Sequence, residues 1–250
     1  SRKNRNLDSA IVSSLRFDIM HISVLGAGGW GTALALVLSA NNHRVTLWAR
    51  NADTIAQVRR TRINSAYLPG VVIPDEIHLT HDPNEANSAE MLVIAIPTQF
   101  IRPAFGDYGL QAKGKIVVST SKGVERGTLM RVSEILRDAA GVEGKYFAAL
   151  TGPSHAEEVA RQLPTTVVAA SESEDIAKLV QRAFTRSTFR VYHSTDVIGA
   201  ELGGAVKNVI AISAGIVDGL GMGDNTKAAL ITRGLAEITR LGLALGAQPM

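Results

Sequence analysis

Along residues 20–195 the apolar positions fall into short continuous runs, separated by amphipathic or small-residue segments. The first run is residues 21–25. GAGGWG follows it, and then residues 32–40 (TALALVLSA), apolar and small as a helix packed on a sheet should be. Asn41, Asn42 and His43 stop that helix. Residues 45–49 (VTLWA) predict a second strand, and Asp53 reads as the N-cap of a helix running to about Arg60. Residues 67–75 hold two prolines and a glycine and predict a loop. Residues 91–97 are an unbroken apolar run and 115–120 (KIVVST) centre on another, the signature of parallel strands covered on both faces. Further strands are predicted over 147–152, 165–170 and 189–193, and helices over 128–139, 154–161 and 174–184. Strands alternating with helices predict an α/β fold with a doubly wound, mostly parallel sheet.

After about Thr195 the texture changes. Residues 196–245 show helical periodicity and no strand, interrupted by Gly219, Gly221 and Gly223. The chain therefore divides into residues 20–195, a sheet domain, and 196–250, the first part of a helical domain. Residues 1–19 are rich in Arg and Ser. A transit peptide fits poorly with Asp8 and Asp18, so the segment reads as an upstream extension or leader before Met20.

Composition narrows the chemistry. With 26 basic against 23 acidic residues the net charge is only +3, scattered along the chain, so no nucleic-acid stripe and no polybasic membrane anchor is expected. The absence of cysteine excludes disulfides, thiolate nucleophiles and thiolate metal sites, and fits a reducing cytoplasm. No apolar run reaches the roughly 20 residues of a membrane span, so no integral membrane contact is expected. The six histidines show no ligand spacing with acids, so no metal is expected.

Gly26, Gly28 and Gly31 form G-x-G-x-x-G between a predicted strand and a predicted helix. In that context each glycine has a task. The first permits the tight turn, the second lets backbone approach a pyrophosphate, and the third lets helix and strand pack closely. The free N–H groups at the helix start favour phosphate. The pattern predicts a Rossmann-like dinucleotide site. The second strand ends at Trp48, Ala49 and Arg50 with no acid to hold a ribose 2′-hydroxyl. The Arg50 fork suits a 2′-phosphate, so NADPH is expected to be preferred over NADH. A solvated arginine is the bland alternative.

Two later segments carry candidate chemistry. Lys122 follows the strand at 115–120, and TGPSHA (residues 151–156) follows another, with a helix expected to start at Pro153 or Ser154. Both lie beyond carboxyl ends of strands, where ligands bind in open α/β sheets. His155 reads as structural. Lys207 sits in LGGAVKNVIAISAGI, a segment apolar nearly all round and so expected to be buried. A desolvated lysine has a lowered pKa and can exchange a proton near neutral pH. A lysine on a narrow solvent stripe is the alternative at Lys207, and a surface loop lysine at Lys122.

Together SVLGAGGWGTALA, NSAYLPG, IPTQF, TSKGVE, TGPSHAEEVA and GAELGGAVKNVIAISAGIVDGLGMGDNTKAALITRGLAE resemble the bacterial NAD(P)-dependent glycerol-3-phosphate dehydrogenase family, from Ile22 to the end of the chain. The resemblance implies that Gly29 and Trp30 line the dinucleotide loop and Arg50 meets the adenosine end. It implies that Tyr67 covers the cofactor, Phe100 packs near the nicotinamide, and Ala156 touches the cofactor. Lys122 would contact both cofactor and substrate. Gly152 and Ser154 would touch the substrate phosphate, Asn208 would assist at the substrate, and Lys207 would be the catalytic acid/base. The implied reaction interconverts dihydroxyacetone phosphate and sn-glycerol 3-phosphate with NADPH or NADH, feeding glycerophospholipid synthesis in the cytoplasm, with a homodimer as the assembly. The family continues past Met250 with further helices, so an incomplete copy is expected, with a non-catalytic dinucleotide-binding fragment as one alternative. A related two-domain keto- or hydroxy-acid reductase is the other, disfavoured by Lys122, Ser154 and Asn208.

Overall fold

The computed structural model describes residues 19–249, so the leader reading of the N-terminal segment lies almost wholly outside the described residues. Eight strands form one sheet in the order β3-β2-β1-β4-β5-β6-β7-β8. They are β1 His21–Leu25, β2 Arg44–Trp48, β3 His78–Thr80, β4 Met91–Ile94, β5 Ile116–Ser119, β6 Phe147–Thr151, β7 Thr165–Ala170 and β8 Phe189–Ser194. β6 and β7 run antiparallel, and the other neighbours are parallel. The helices are α1 Gly29–Ala40, α2 Ala52–Thr61, α3 Pro83–Asn87, α4 Ile101–Gly106, α5 Val132–Ala140, α6 Ala156–Ala160, α7 Glu174–Phe184, α8 Val197–Gly219 and α9 Gly223–Ala244.

The unbroken apolar runs have a direct cause. In β4, Met91 and Val93 enter the core on one face of the sheet, while Leu92 and Ile94 enter the core on the other. β5 alternates likewise, with Ile116 and Val118 on one side and Val117 on the opposite side. Successive side chains point to opposite faces, and both faces are covered, so apolar residues follow one another along these strands. β1 pairs with β2 on one side and β4 on the other. The chain winds outward from β1 and then returns across it. The crevice at this switch opens beyond the carboxyl ends of β1 and β4.

Several local expectations are corrected. Asn51, not Asp53, caps α2: its side chain accepts from Thr54 N–H, and Asp53 sits in the first turn. α5 starts at Val132 rather than Thr128, because Thr128 donates to Glu125 and Leu129 adopts a left-handed backbone (φ 59°) in a turn closed by the Val124–Arg131 bridge. α6 starts at Ala156 with His155 as N-cap, so Pro153 and Ser154 precede the helix. β3, α3 and α4 were not predicted; each is six residues or shorter, too little chain for a period to appear.

α8 and α9 form a helical hairpin joined through Leu220–Met222, with Gly234 seated on Ile210. α8 is not buried all round, as its composition suggested. Val209, Ile212 and Ile216 are 62%, 66% and 57% exposed, and its buried residues are Val197, Leu202 and Gly204. Among the described residues only α9 and the ends of β6 and β7 lie beside it in extensive contact. By length and composition alone α8 is a helix able to cross a membrane, against the expectation that none is long and apolar enough.

Candidate active site

The glycine loop is built as its spacing demands. Gly26 has φ +116°, and a Cβ there would lie 2.5 Å from Ala95 O, so only glycine permits β1 and β4 to end side by side. A Cβ on Gly31 would lie 1.8 Å from Gly26 O. Gly28 has nothing within 4 Å of its Cβ position, which leaves the backbone open where a pyrophosphate would approach. Its extended backbone precedes the free N–H groups of α1, whose first turn carries no acid to compete with an anion.

Asn64, from the NSAYLPG loop, holds this turn from behind. It is 1% exposed, and its amide donates to Ala27 O and to Thr32 Oγ1, both at 2.9 Å. The same loop brings Tyr67 O against Gly29. Asn64 was absent from the sequence reading; a buried polar residue in a loop is revealed only by what surrounds it.

In front of the turn lies a cavity of about 500 Å³ lined by the glycine loop, Trp30, Trp48, Arg50, Asn51, Tyr67, Pro97, Phe100 and Tyr108. Arg50 stands at its rim, exposed. Its guanidinium lies 5.6 Å from the Phe100 ring centre and 6.0 Å from that of Tyr108, and it donates to the Tyr108 hydroxyl at 3.3 Å. Phe100 therefore sits beside Arg50 in the wall of this cavity. Tyr108 is a partner the sequence did not suggest.

A second cavity of about 320 Å³ shares Trp30, Ala95, Ile96 and Pro97 with the first and continues to Ser121, Lys122, Ser154, His155 and Ala156. Lys122 is exposed, and its loop is fixed by Thr98 Oγ1 donating to Lys122 O at 2.7 Å and by Ser121 Oγ donating to Ile96 O at 2.5 Å. Deeper support comes from Arg102, which pairs with buried Glu125 and with Asp138. The Arg102 guanidinium and the Thr128 hydroxyl hold the Glu125 carboxyl below its usual range.

Lys207 reaches this place from α8. Its Nζ donates to Gly152 O at 2.7 Å. Gly204, one turn earlier, seats α8 on Thr151: a Cβ there would lie 2.7 Å from Thr151 Oγ1 and 4.0 Å from Lys122 Cγ. Burial lowers the Lys207 pKa, and the nearby Lys122 charge and side chain lower it further. Two lysines, Lys207 on the Gly152 carbonyl and Lys122 close to Lys207, thus offer positive charge to an anion here. Ser154 Oγ lies 3.4 Å from Gly152 O, and exposed Asn208 follows Lys207 on the helix. The structure so brings together Lys122, Gly152, Ser154, Ala156 and Lys207, joined through Trp30 to the dinucleotide cavity. Among the described residues no cluster of His, Cys, Asp or Glu could hold a metal ion.

The chain matches the family model of the NAD-dependent glycerol-3-phosphate dehydrogenase N-terminus over residues 21–177 and that of the C-terminus over 196–250. It is 50% identical over 234 residues to glycerol-3-phosphate dehydrogenase [NAD(P)+] of Chlorobium luteolum, covering 92% of this chain and 70% of that protein. To the protein of the same name from Citrifermentans bemidjiense it is 51% identical over 231 residues, covering 91% and 69%. The crystal structure of glycerol-3-phosphate dehydrogenase from Coxiella burnetii superposes with a TM-score of 0.85 at 35% identity, covering 93% of this chain and 71% of that one.

Proposed function

The chain belongs to the NAD-dependent glycerol-3-phosphate dehydrogenase family, and from that premise we propose that it interconverts dihydroxyacetone phosphate and sn-glycerol 3-phosphate, with Lys207 as acid/base. The observation that carries the reading is the meeting of Lys207 Nζ with Gly152 O close to Lys122, whose cavity shares Trp30, Ala95, Ile96 and Pro97 with that of the glycine loop.

The residues present fit a dinucleotide. Gly28 is open toward the cavity, and Gly29, Trp30 and Tyr67 line it. Arg50 at the rim favours NADPH, with Phe100 and Tyr108 stacked on it. When bound, the cofactor supplies or accepts the hydride. The chain's own residues do the rest. Lys122, Ser154 and Asn208 hold the substrate phosphate end, Gly152 and Ala156 shape the wall, and Lys207 delivers a proton to the C2 oxygen as charge develops on it. In the reverse direction the neutral amine takes that proton back, and the lowered pKa makes both forms available nearer neutral pH. Fixing the partners in line supplies the remaining advantage.

This reading also divides the chain near residue 195, assigns the reaction to glycerophospholipid synthesis in the cytoplasm, and takes the working form to be a homodimer. The test is NADPH oxidation with dihydroxyacetone phosphate against a non-phosphorylated keto acid. Turnover of the phosphate ester, lost in Lys207→Met, supports the assignment. Turnover of the keto acid alone would replace it with a related reductase, and cofactor binding without turnover of either would leave a binding module.

A further inference from the structure

Helix α5 lacks a local N-cap acceptor. Its N-cap is Arg131, whose guanidinium carries only donors. The first-turn N–H groups of a helix need acceptors from elsewhere. One comes from α8: Glu201 Oε1 accepts from Ser133 N–H at 2.7 Å. Glu201 Oε2 accepts from Ser133 Oγ at 2.6 Å and from Arg131 Nη1 at 2.7 Å. Arg131 is held in turn by Glu134, whose carboxylate accepts its backbone N–H and its Nη2, both at 2.8 Å. The Glu201 side chain is 7% exposed. Burial pushes its carboxyl up, and the Ser133 and Arg131 donors oppose that shift. A carboxylate at a helix N-terminus also meets the positive end of the dipole.

The position on α8 gives the contact its meaning. At 100° per residue, Glu201, Gly204, Lys207 and Asn208 share an arc of about 120°. α8 is therefore held at two places on one face: Glu201 against α5, and Gly204 with Lys207 against the end of β6. Apolar burial contributes little else, since among the described residues of α8 only Val197, Leu202 and Gly204 are buried.

We propose that Glu201 is a positioning residue: it caps α5 from α8 and so fixes the helix that carries Lys207 against the dinucleotide-binding sheet. The inference rests on the role proposed for Lys207. It separates two jobs in one carboxylate, stability of α5 and placement of α8, and the separation can be tested.

The variants are Glu201→Ala, the same with Arg131→Asp, and the milder Glu201→Gln, which keeps an acceptor for Ser133. Thermal unfolding, NADPH binding by tryptophan fluorescence, kcat, and the pH profile of Lys207 acylation by acetic anhydride, read by mass spectrometry, are compared with the parent. Glu201→Ala is expected to lower Tm and to cut kcat at least tenfold. The NADPH Kd stays within twofold, and the acylation midpoint moves up toward the ordinary lysine range. Arg131→Asp gives α5 its own acceptor, so the double variant regains Tm but neither kcat nor the original midpoint. Recovery of kcat and midpoint together with Tm would overturn the proposal, as would an unchanged kcat and midpoint in Glu201→Ala. If Glu201→Ala does not fold, Glu201→Gln is expected to show the same pattern at smaller size, and no shift there overturns it. A parent that binds NADPH but turns over no dihydroxyacetone phosphate sinks the proposed function instead, and the acylation midpoint alone then decides the role of Glu201.

Discussion

Lys207 on α8 and Gly152 at the end of β6 are joined by a hydrogen bond of 2.7 Å between Nζ and the carbonyl oxygen, 55 residues apart in the chain. Burial and the neighbouring Lys122 hold this lysine below its ordinary pKa. At pH below that depressed value the side chain is charged in both folded and unfolded chains, and the charge penalises the folded state. The unfolded chain binds more protons between the depressed and the ordinary value, so stability rises with pH through that window. The Tm of Lys207→Met relative to the parent is therefore expected to be highest near pH 7, with the gap shifting downward toward about pH 10. Denaturation curves across that range check it, and a gap independent of pH would assign the effect to packing. In the same variant turnover falls by about 10²-fold or more, with NADPH binding unchanged.

Two glycines of the loop should fail in different ways. Gly31→Ala places a methyl 1.8 Å from Gly26 O, a backbone atom that cannot yield, and should cost about 3 kcal/mol or more in denaturant unfolding. Gly28→Ala meets nothing within 4 Å. It should leave Tm unchanged and weaken NADPH binding at least tenfold, about 1.4 kcal/mol. Quenching of Trp30 and Trp48, which line the cavity, reads the affinity. Full NADPH affinity in Gly28→Ala would remove the pyrophosphate from this turn.

Arg50 stacks on Phe100 and Tyr108 at the cavity rim. Arg50→Asp should weaken NADPH by about tenfold while NADH changes little, because only the former brings a 2′-phosphate to the guanidinium. Parallel titrations give the ratio. An unchanged ratio would show that Arg50 serves the aromatic rim alone.

Asn64→Ala removes two buried hydrogen bonds from the back of the glycine turn, those to Ala27 O and Thr32 Oγ1. A loss of about 1–3 kcal/mol is expected in denaturant unfolding, together with weaker NADPH binding as the turn loosens. Asn64→Asp should be worse, since an ionised carboxylate cannot donate and is costly to bury. Equal stability of Asn64→Ala and parent would show that the turn holds itself.

Much of the fold was legible. The strand runs at 91–97 and 165–170, the helix at 174–184 and the G-x-G-x-x-G turn all rest on local features: alternation between two covered faces, a 3.6-residue period, and steric demands within a few residues. β3, α3 and α4 were too short to show a period, and the caps of α2 and α6 are set by the backbone angles of Asn51 and His155, which residue type alone does not distinguish from nearby polar positions.

Residues 20–195 determined by themselves an α/β sheet with a dinucleotide turn, because each of those signals is carried by neighbours in the chain. Tertiary structure decided the rest. Asn64 reaching Ala27, Phe100 and Tyr108 closing on Arg50, Lys207 meeting Gly152, and Glu201 capping α5 from 68 residues away are pairings between distant segments. The exposed apolar face of α8 belongs with them, since composition reports how apolar a helix is, whereas its burial depends on which other segments pack against it.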